Sequence, residues 1–503
     1  MEKIGIIDLG SNTARLVLVN VLEGGHFVVC DELKETVRLG QDMEVDGFLR
    51  PARIEQTKKT LQMFRRFCDS NGVEKILAYA TSAVRRAKNQ KSFLEEVAVT
   101  CGIKLKVLSS EEEGQFTYTG VINTMDIPKG VIMDLGGGSC QLIYYNRKNI
   151  LAQETLPFGS VTLTDLFKDQ GLKPEERAEK IEEFVKENLE SIQWLKELEP
   201  DVQFIGVGGS FRNLGKISRK VKRYPFDKHH NYNIGMAEFN SIYDTIKTLP
   251  LDRTMKIKGL SSGRADIFPS ALSAIKVLAD TANFDHIVVS GSGLREGAMF
   301  RYAVPSVTER PILDVLGYSL QTLVKNFGEN EEHSRHVADL SMQLFKQLKV
   351  LHKLPRPYVK VLRVASILHD TGTRIKYYDH HDHSAYIILN SNLYGIAHKD
   401  IVMAAFVASA HKTGIPADEI MRYQSMLSEE DLDAVNKLGL ILKIAESFDR
   451  SMSGLITEIS CDVLGDSVIM KTVANGDCSL EIQDALTCRS TFKKAYHKNL
   501  DIL

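Results

Sequence analysis

Two aspartates occupy matching places in an internal repeat. Ile6-Ile7-Asp8-Leu9-Gly10-Ser11-Asn12-Thr13 is echoed by Ile132-Met133-Asp134-Leu135-Gly136-Gly137-Gly138-Ser139, and each continues into an apolar pair, Leu16-Val17 or Leu142-Ile143. A turn with so little side-chain bulk lets consecutive backbone N–H groups approach phosphate oxygens. An aspartate beside that turn repels a phosphate unless Mg²⁺ or its waters lie between them. The repeat therefore nominates Asp8, Ser11, Asn12, Gly136, Gly137, Gly138 and Ser139 for phosphate, with Asp8 and Asp134 toward Mg²⁺. A basic run follows later: Arg212, Lys216, Arg219, Lys220, Lys222, Arg223 and Lys228, with Asp227 as its single acid. In a chain with 63 Lys plus Arg against 65 Asp plus Glu, such a run is a candidate track for the distal part of a polyanion.

Further motifs extend the hairpins: Ala80-Thr81-Ser82-Ala83-Val84-Arg85, Ser109-Ser110-Glu111-Glu112-Glu113-Gly114 and Gly206-Val207-Gly208-Gly209. In order and spacing, residues 1 to about 303 resemble the exopolyphosphatase and guanosine pentaphosphate phosphohydrolase family, within the actin, sugar-kinase and chaperone ATPase superfamily. The resemblance implies that Glu113 is the general base orienting the attacking water, with Glu111 and Glu112 as alternates. It implies Arg85 as a bidentate phosphate clamp, places Thr81 and Gly208 among the phosphate-binding residues, and leaves Arg86 on the surface. The family usually carries a glutamate where this chain has Gln141, which removes one negative charge near the metal.

Farther on, His333-Ser334-Arg335-His336, Ile367-Leu368-His369-Asp370, His383, His411 and Ala445-Glu446-Ser447-Phe448-Asp449 resemble an HD-type metal phosphohydrolase domain. Carried over, the ligands of a second divalent ion (Mn²⁺, Fe²⁺ or Zn²⁺) are His333, His369, Asp370 and Glu446, with Asp449 competing for the last place.

The elements needed to position these groups are also readable. Amphipathic stretches at Ile54 to Phe67, Phe93 to Val99 and Glu175 to Leu198 alternate with short apolar runs such as Ile76-Leu77-Ala78-Tyr79, the pattern of an α/β fold. Phe204 to Ser210 and Ile287 to Gly293 add two strand-to-Gly-loop-to-helix units. Past Pro305 and Pro311, helical periodicity dominates to about Asp449. Val468-Ile469-Met470 and Ser479-Leu480-Glu481-Ile482 then suggest a strand-rich tail. The expected architecture is α/β, with two actin-like (ribonuclease H-like) lobes at 1–125 and 126–303. An all-helical HD-type domain at 312–455 and a small C-terminal region at 456–503 complete it.

The chain has 503 residues, 43% hydrophobic and 25% charged, enough for three or four domains at about 150 residues each. Its near-neutral charge argues against nucleic acid or membrane as a specific partner. Seven scattered cysteines without a C-x-x-C pair, and no leader-like or membrane-spanning stretch, point to reduced thiols in the cytoplasm. The function expected is Mg²⁺-dependent release of terminal orthophosphate from inorganic polyphosphate. Hydrolysis of guanosine pentaphosphate and non-catalytic alarmone sensing are the alternatives, and the family resemblance implies a homodimer. An ATP-dependent kinase on the same fold is disfavoured by the glutamate run and by the match around Arg85.

Overall fold

The computed structural model describes residues 2–168, 170–412 and 414–503 and divides into two compact units, Met1–Val315 and Leu316–Leu503. Unit 1 carries the sequence repeat as a repeat of topology. Its first sheet comprises β1 (Glu2–Leu9), β2 (Thr13–Val21), β3 (Phe27–Thr36), β4 (Lys75–Ala80) and β5 (Leu105–Val107), in the order β3-β2-β1-β4-β5. The second comprises β6 (Lys129–Leu135), β7 (Cys140–Asn146), β8 (Asn149–Leu156), β9 (Gln203–Val207), β10 (Tyr232–Gly235) and β11 (His286–Val289), in the order β10-β11-β9-β6-β7-β8. In each, an antiparallel hairpin is extended by a parallel strand on the side away from the turn's partner: β4 beside β1, β9 beside β6.

β1 and β6 are continuous apolar runs because both of their faces are covered. Ile4, Ile6 and Ile7 are buried in the first, and Val131, Ile132 and Met133 in the second. Both strands end with a penultimate aspartate that is only partly covered, at the point where the chain leaves the core. The two sheets thus bring Asp8 and Asp134 to equivalent edges, as expected for two actin-like lobes. The expected helices form at Pro51–Ser70 and Gln90–Cys101. The stretch from Glu175 to Leu198 breaks into a helix, Pro174–Glu190, and a separate 3-10 turn, Gln193–Lys196.

In unit 2, helices Glu331–Gln347, Tyr358–Leu368, His380–Asn390, His398–Ala410 and Glu429–Ser447 precede a small sheet. Its strands are β12 (Ile456–Val463), β13 (Ser467–Ala474) and β14 (Asn499–Ile502), with β13 and β14 parallel. One expectation is corrected here: Ser479 to Ile482 opens the helix Ser479–Leu486 rather than forming a strand. Its buried residues, Glu481 and Ala485, lie four apart, a spacing that a four-residue apolar and polar alternation cannot reveal. Among the described residues, no helix is long and apolar enough to cross a membrane.

Candidate active site

Asp8, Ser11, Asn12, Thr81, Glu113, Asp134, Gly136, Gly137, Gly138, Ser139 and Gly208 all line one cavity of about 120 Å³ in unit 1. The carbonyls of both turns are turned away from it. Asn12 O accepts from Val37 N and Arg38 N, and Ser11 O from Gly40 N; Gly136 O accepts from Ser160 N, and Gly137 O from Val161 N. The amide edges of the two turns are left facing the cavity, the arrangement that binds anions. Three buried polar atoms on its wall, Ser11 Oγ, Asn12 Nδ2 and Ser82 Oγ, have no hydrogen-bond partner. Buried polar groups are rarely left so unless water, an ion or a ligand completes them.

The first turn of the Ser110–Ile122 helix sorts the three glutamates by role. Ser109 caps it: Glu112 N donates to Ser109 Oγ at 3.1 Å, and Ser109 N donates to Glu112 Oε2 at 2.9 Å. Glu112 also pairs with Lys106 at 2.7 Å, and Glu111 is exposed. Glu113 alone turns inward. Burial pushes its carboxyl up to about 7 against the pull of Arg85, and Asp134 and Asp8 push in the same direction as burial. Arg85 does not line the cavity. It donates to Glu113 Oε2 at 2.8 Å and to Leu108 O at 2.9 Å, so the expected phosphate clamp is instead a partner of the expected base. Arg86 is exposed and pairs with Glu44 at 2.8 Å.

Asp8 and Asp134 are both raised above the ordinary carboxylate range, chiefly by burial; Arg295 and Arg15 offset this at Asp8, and a hydrogen bond from Thr117 Oγ1 at 2.6 Å offsets it at Asp134. Two carboxylates on one small cavity, with Asp8 pushing Asp134 up, suit a hard divalent cation, so the residues present fit Mg²⁺. Gln141, opposite Asp134 in the hairpin register, is buried and accepts from Thr155 Oγ1 at 2.6 Å. It is not among the cavity-lining residues.

The cations at this cavity come from places the sequence reading did not connect. Arg15, opposite Asp8 in the first hairpin, joins Arg212, Arg264 and Arg295 on the wall. Arg15 and Arg295 share Glu32 Oε1 at 3.1 and 2.9 Å. Arg264 lies flat against Gly209, where even a Cβ would meet its guanidinium carbon at 2.2 Å. Burial and mutual repulsion disfavour the charged forms of Arg212 and Arg264 without discharging them at neutral pH. Nearby, burial together with Arg15, Arg264 and Arg212 pushes Lys34 down to about 8.

The contiguous basic run does not form one surface. Arg212 reaches the cavity, but Arg219 is corrected from track to interior: it is buried, with its guanidinium 5.3 Å from the centre of the Tyr232 ring and 3.3 Å from Asp227. The reason is helical phase, because Gly215 and Ser218 beside it on the Gly209–Lys222 helix are buried as well. Lys222 pairs with Glu238 at 2.5 Å. Lys216, Lys220 and Arg223 remain exposed.

In unit 2, His333, His369 and Asp370 come together as expected, and Asp370 also meets His380 and His411; within each of the two triads the ligand atoms lie within 4.8 Å of one another. Glu446 and Asp449 fall outside both triads. Asp449 Oδ2 is hydrogen-bonded to His333 Nδ1 at 2.7 Å, and its Oδ1 accepts from Gly454 N. Glu446 accepts from Lys412 Nζ at 2.5 Å and lies 3.5 Å from His411 Nε2. His380, which no expectation named, joins the second triad, whereas His383 of the motif lies one helical turn away on the same helix and belongs to neither triad. Gly372 is responsible for the placement: a Cβ there would lie 2.0 Å from His380 O, and Gly372 N donates to Ser384 Oγ, which itself donates to His369 O. Burial pushes His411 down to about 3 despite Glu446. Asp370 is held well below the carboxylate range, because His369 and the neighbouring imidazoles outweigh its burial.

Known proteins resemble both units in sequence, and the first in fold. The Ppx/GppA phosphatase family model matches residues 18–304, and the model for domain III of Ppx/GppA phosphatases matches residues 317–482. A guanosine-5'-triphosphate,3'-diphosphate pyrophosphatase of Vibrio vulnificus is 24% identical over 467 residues, covering 92% of this chain and 90% of that protein. A bifunctional 3-dehydroquinate synthase/phosphatase of Fusobacterium nucleatum is 30% identical over 308 residues, covering 58% of this chain; the match spans only 45% of that relative's length. Among solved structures, the Aquifex aeolicus member of the Ppx/GppA family superposes with a TM-score of 0.52 at 27% identity, over 61% of this chain and 98% of that one. An exopolyphosphatase from Cytophaga hutchinsonii shares the fold with a TM-score of 0.55 at 24% identity, over 60% and 98% of the two chains. With the paired Asp-Gly turns, the inward glutamate and both units matched, the chain belongs to the Ppx/GppA phosphatase family.

Proposed function

We propose that this phosphatase releases terminal orthophosphate from inorganic polyphosphate by Mg²⁺-assisted attack of water. The observation that carries this reading is the convergence of two amide-lined turns, three unpartnered buried polar atoms and four arginines on one small cavity. Asp8 and Asp134 would hold Mg²⁺, which supplies charge neutralisation at the phosphoryl oxygens when bound. Glu113 accepts a proton from the water whose oxygen bonds to the terminal phosphorus. The bridging P–O bond breaks on the opposite side, and its electron pair stays with the shortened chain. Arg212, Arg264 and Arg295 stabilise the negative charge on both fragments. Arg85, paired with Glu113, fixes the direction of the base.

A second reading, hydrolysis of the terminal 5'-phosphate of guanosine pentaphosphate, uses the same steps. It is favoured by the Vibrio vulnificus relative, which matches across both units. Phosphate release from long polyphosphate and from guanosine pentaphosphate, measured side by side with Mg²⁺, separates the two. A kcat/KM at least tenfold higher for the nucleotide overturns the polyphosphate reading, and no release from either substrate overturns both.

A further inference from the structure

Glu32 is not on the wall of the hairpin cavity, yet it holds two of the wall's arginines. We propose that Glu32 is a positioning residue that competes with bound phosphate for Arg15 and Arg295, so that the cavity does not retain orthophosphate once the bond has broken. The inference rests on the reading of this cavity as the place where phosphate is released.

Strand register puts Glu32 within reach. Between β2 and β3, Arg15 stands opposite Lys34 and Val17 opposite Glu32. Residues two apart on a strand share a face, so Arg15, Lys34 and Glu32 project from one face of the sheet. Arg15 and Glu32 are diagonal neighbours there, a separation that long side chains span. Arg295 approaches the same carboxylate from the Leu294–Ala303 helix. A single oxygen, Glu32 Oε1, accepts from Arg15 Nη1 at 3.1 Å and from Arg295 Nη1 at 2.9 Å.

Neither arginine needs that carboxylate to stay in place. The side chains of Arg15 and Arg295 are only 12% and 8% exposed, against 42% for Glu32. Arg15 sits in the strand ladder between Asp8 and Lys34, and Arg295 also lies 3.7 Å from Glu296. Packing confines both arginines, and what Glu32 adds is charge. Burial pushes its carboxyl up, but Arg295, Arg15 and Arg212 together outweigh burial and hold it below the ordinary carboxylate range. A second anion arriving at the same guanidinium groups meets a competitor for their N–H donors and a like charge beside them.

Such competition has a use at the end of a turnover. Arg212 and Arg264 share the wall with Arg15 and Arg295, and four guanidinium groups match the oxygens of free orthophosphate as well as those of a phosphoryl group in transfer. Product held that firmly makes its release the slow step. Glu32 reclaims two of the four arginines as orthophosphate leaves.

The test is the inhibition constant of unlabelled orthophosphate against release of labelled phosphate from polyphosphate or guanosine pentaphosphate, measured with Mg²⁺ on the full chain. Glu32→Gln removes the charge at nearly constant shape and should tighten that inhibition about five- to tenfold. Glu32→Asp keeps the charge and should stay within about threefold of the parent. If Glu32 served only to anchor the arginines, Glu32→Gln would loosen them and weaken inhibition, the opposite sign. Inhibition that is unchanged or weaker in Glu32→Gln therefore overturns the inference, as does a Glu32→Asp variant inhibited as tightly as Glu32→Gln. A parent chain that releases no label from either substrate overturns the proposed function itself, and the two failures are told apart by whether the parent turns over.

Discussion

The hairpin pocket and the histidine cluster both gather buried ionisable groups, with opposite assignments of charge. In the pocket, carboxylates are driven up by burial and by one another while arginines crowd the same wall. In the cluster, Asp370 is held low by surrounding imidazoles, and His411 is kept neutral by burial. A pocket of that first kind has a lasting supply of positive charge for phosphate and needs a hard ion only between its acids and the substrate. In the second, His333, Asp370 and His380 share a wall with Arg374, Lys412 and Arg450. The two units therefore gather buried charge in opposite ways.

The strongest test of this contrast is Glu113→Gln, which removes a proton acceptor while keeping the side-chain shape. Phosphate release should fall by about a hundredfold or more; near-normal turnover would remove Glu113 as the base. Next, Arg212→Met takes one fixed cation from the pocket. Because charge-assisted hydrogen bonds contribute about 1.5 to 3 kcal/mol, kcat/KM should drop about ten- to hundredfold, and no loss would mean that Arg212 does not touch substrate. The contrast also has a pH signature. Glu113 must be ionised to act, so kcat/KM should fall about tenfold per pH unit on the acid side of about 7. Its folded carboxyl is raised from 4.5, so its contribution to stability is fully present below about 4.5 and lost as pH rises through about 7. Glu113→Gln should flatten that part of the stability profile in denaturant titrations. The smallest effect is expected from neutralising Lys216, Lys220 and Arg223 together, the exposed remnant of the basic run. Such charges are screened over about 8 to 10 Å, so long polyphosphate should lose a few-fold in affinity and a short chain almost none; equal losses would dismiss the track.

What could be read in the sequence follows from locality. Asp8 and Asp134 announce themselves because each lies within a self-repeating eight-residue motif, whereas Glu113 is set apart from Glu111 and Glu112 only by the family resemblance and, once folded, by the Ser109 cap. Arg15, Arg264 and Arg295 carry no such signal: they come from a strand, a 3-10 turn and a helix up to 280 positions apart in the chain, and only folding brings them together. The basic run misled for the converse reason, since neighbours in sequence fan out around a helix and Arg219 was carried inward. His380 carried no signal of its own, being three residues from the motif's His383 on one helix, and the backbone contact at Gly372 helps set its place. The glutamate-or-aspartate competition at 446 and 449 had no winner in either triad, because hydrogen bonding to His333 and to Lys412 occupies both.

The helix that bears Glu113 and the helix Leu294–Ala303 that bears Arg295 touch backbone to backbone. A Cβ on Gly120 would stand 2.2 Å from Gly293 O, and one on Gly297 would stand 1.9 Å from Phe116 O. Nothing can slide between surfaces so close, which makes the two helices a single mechanical part. Glu113 and Arg295 must then travel together in any breathing of the cleft. On the proposed reading, a methyl group at either glycine would lower turnover before it weakened phosphate binding.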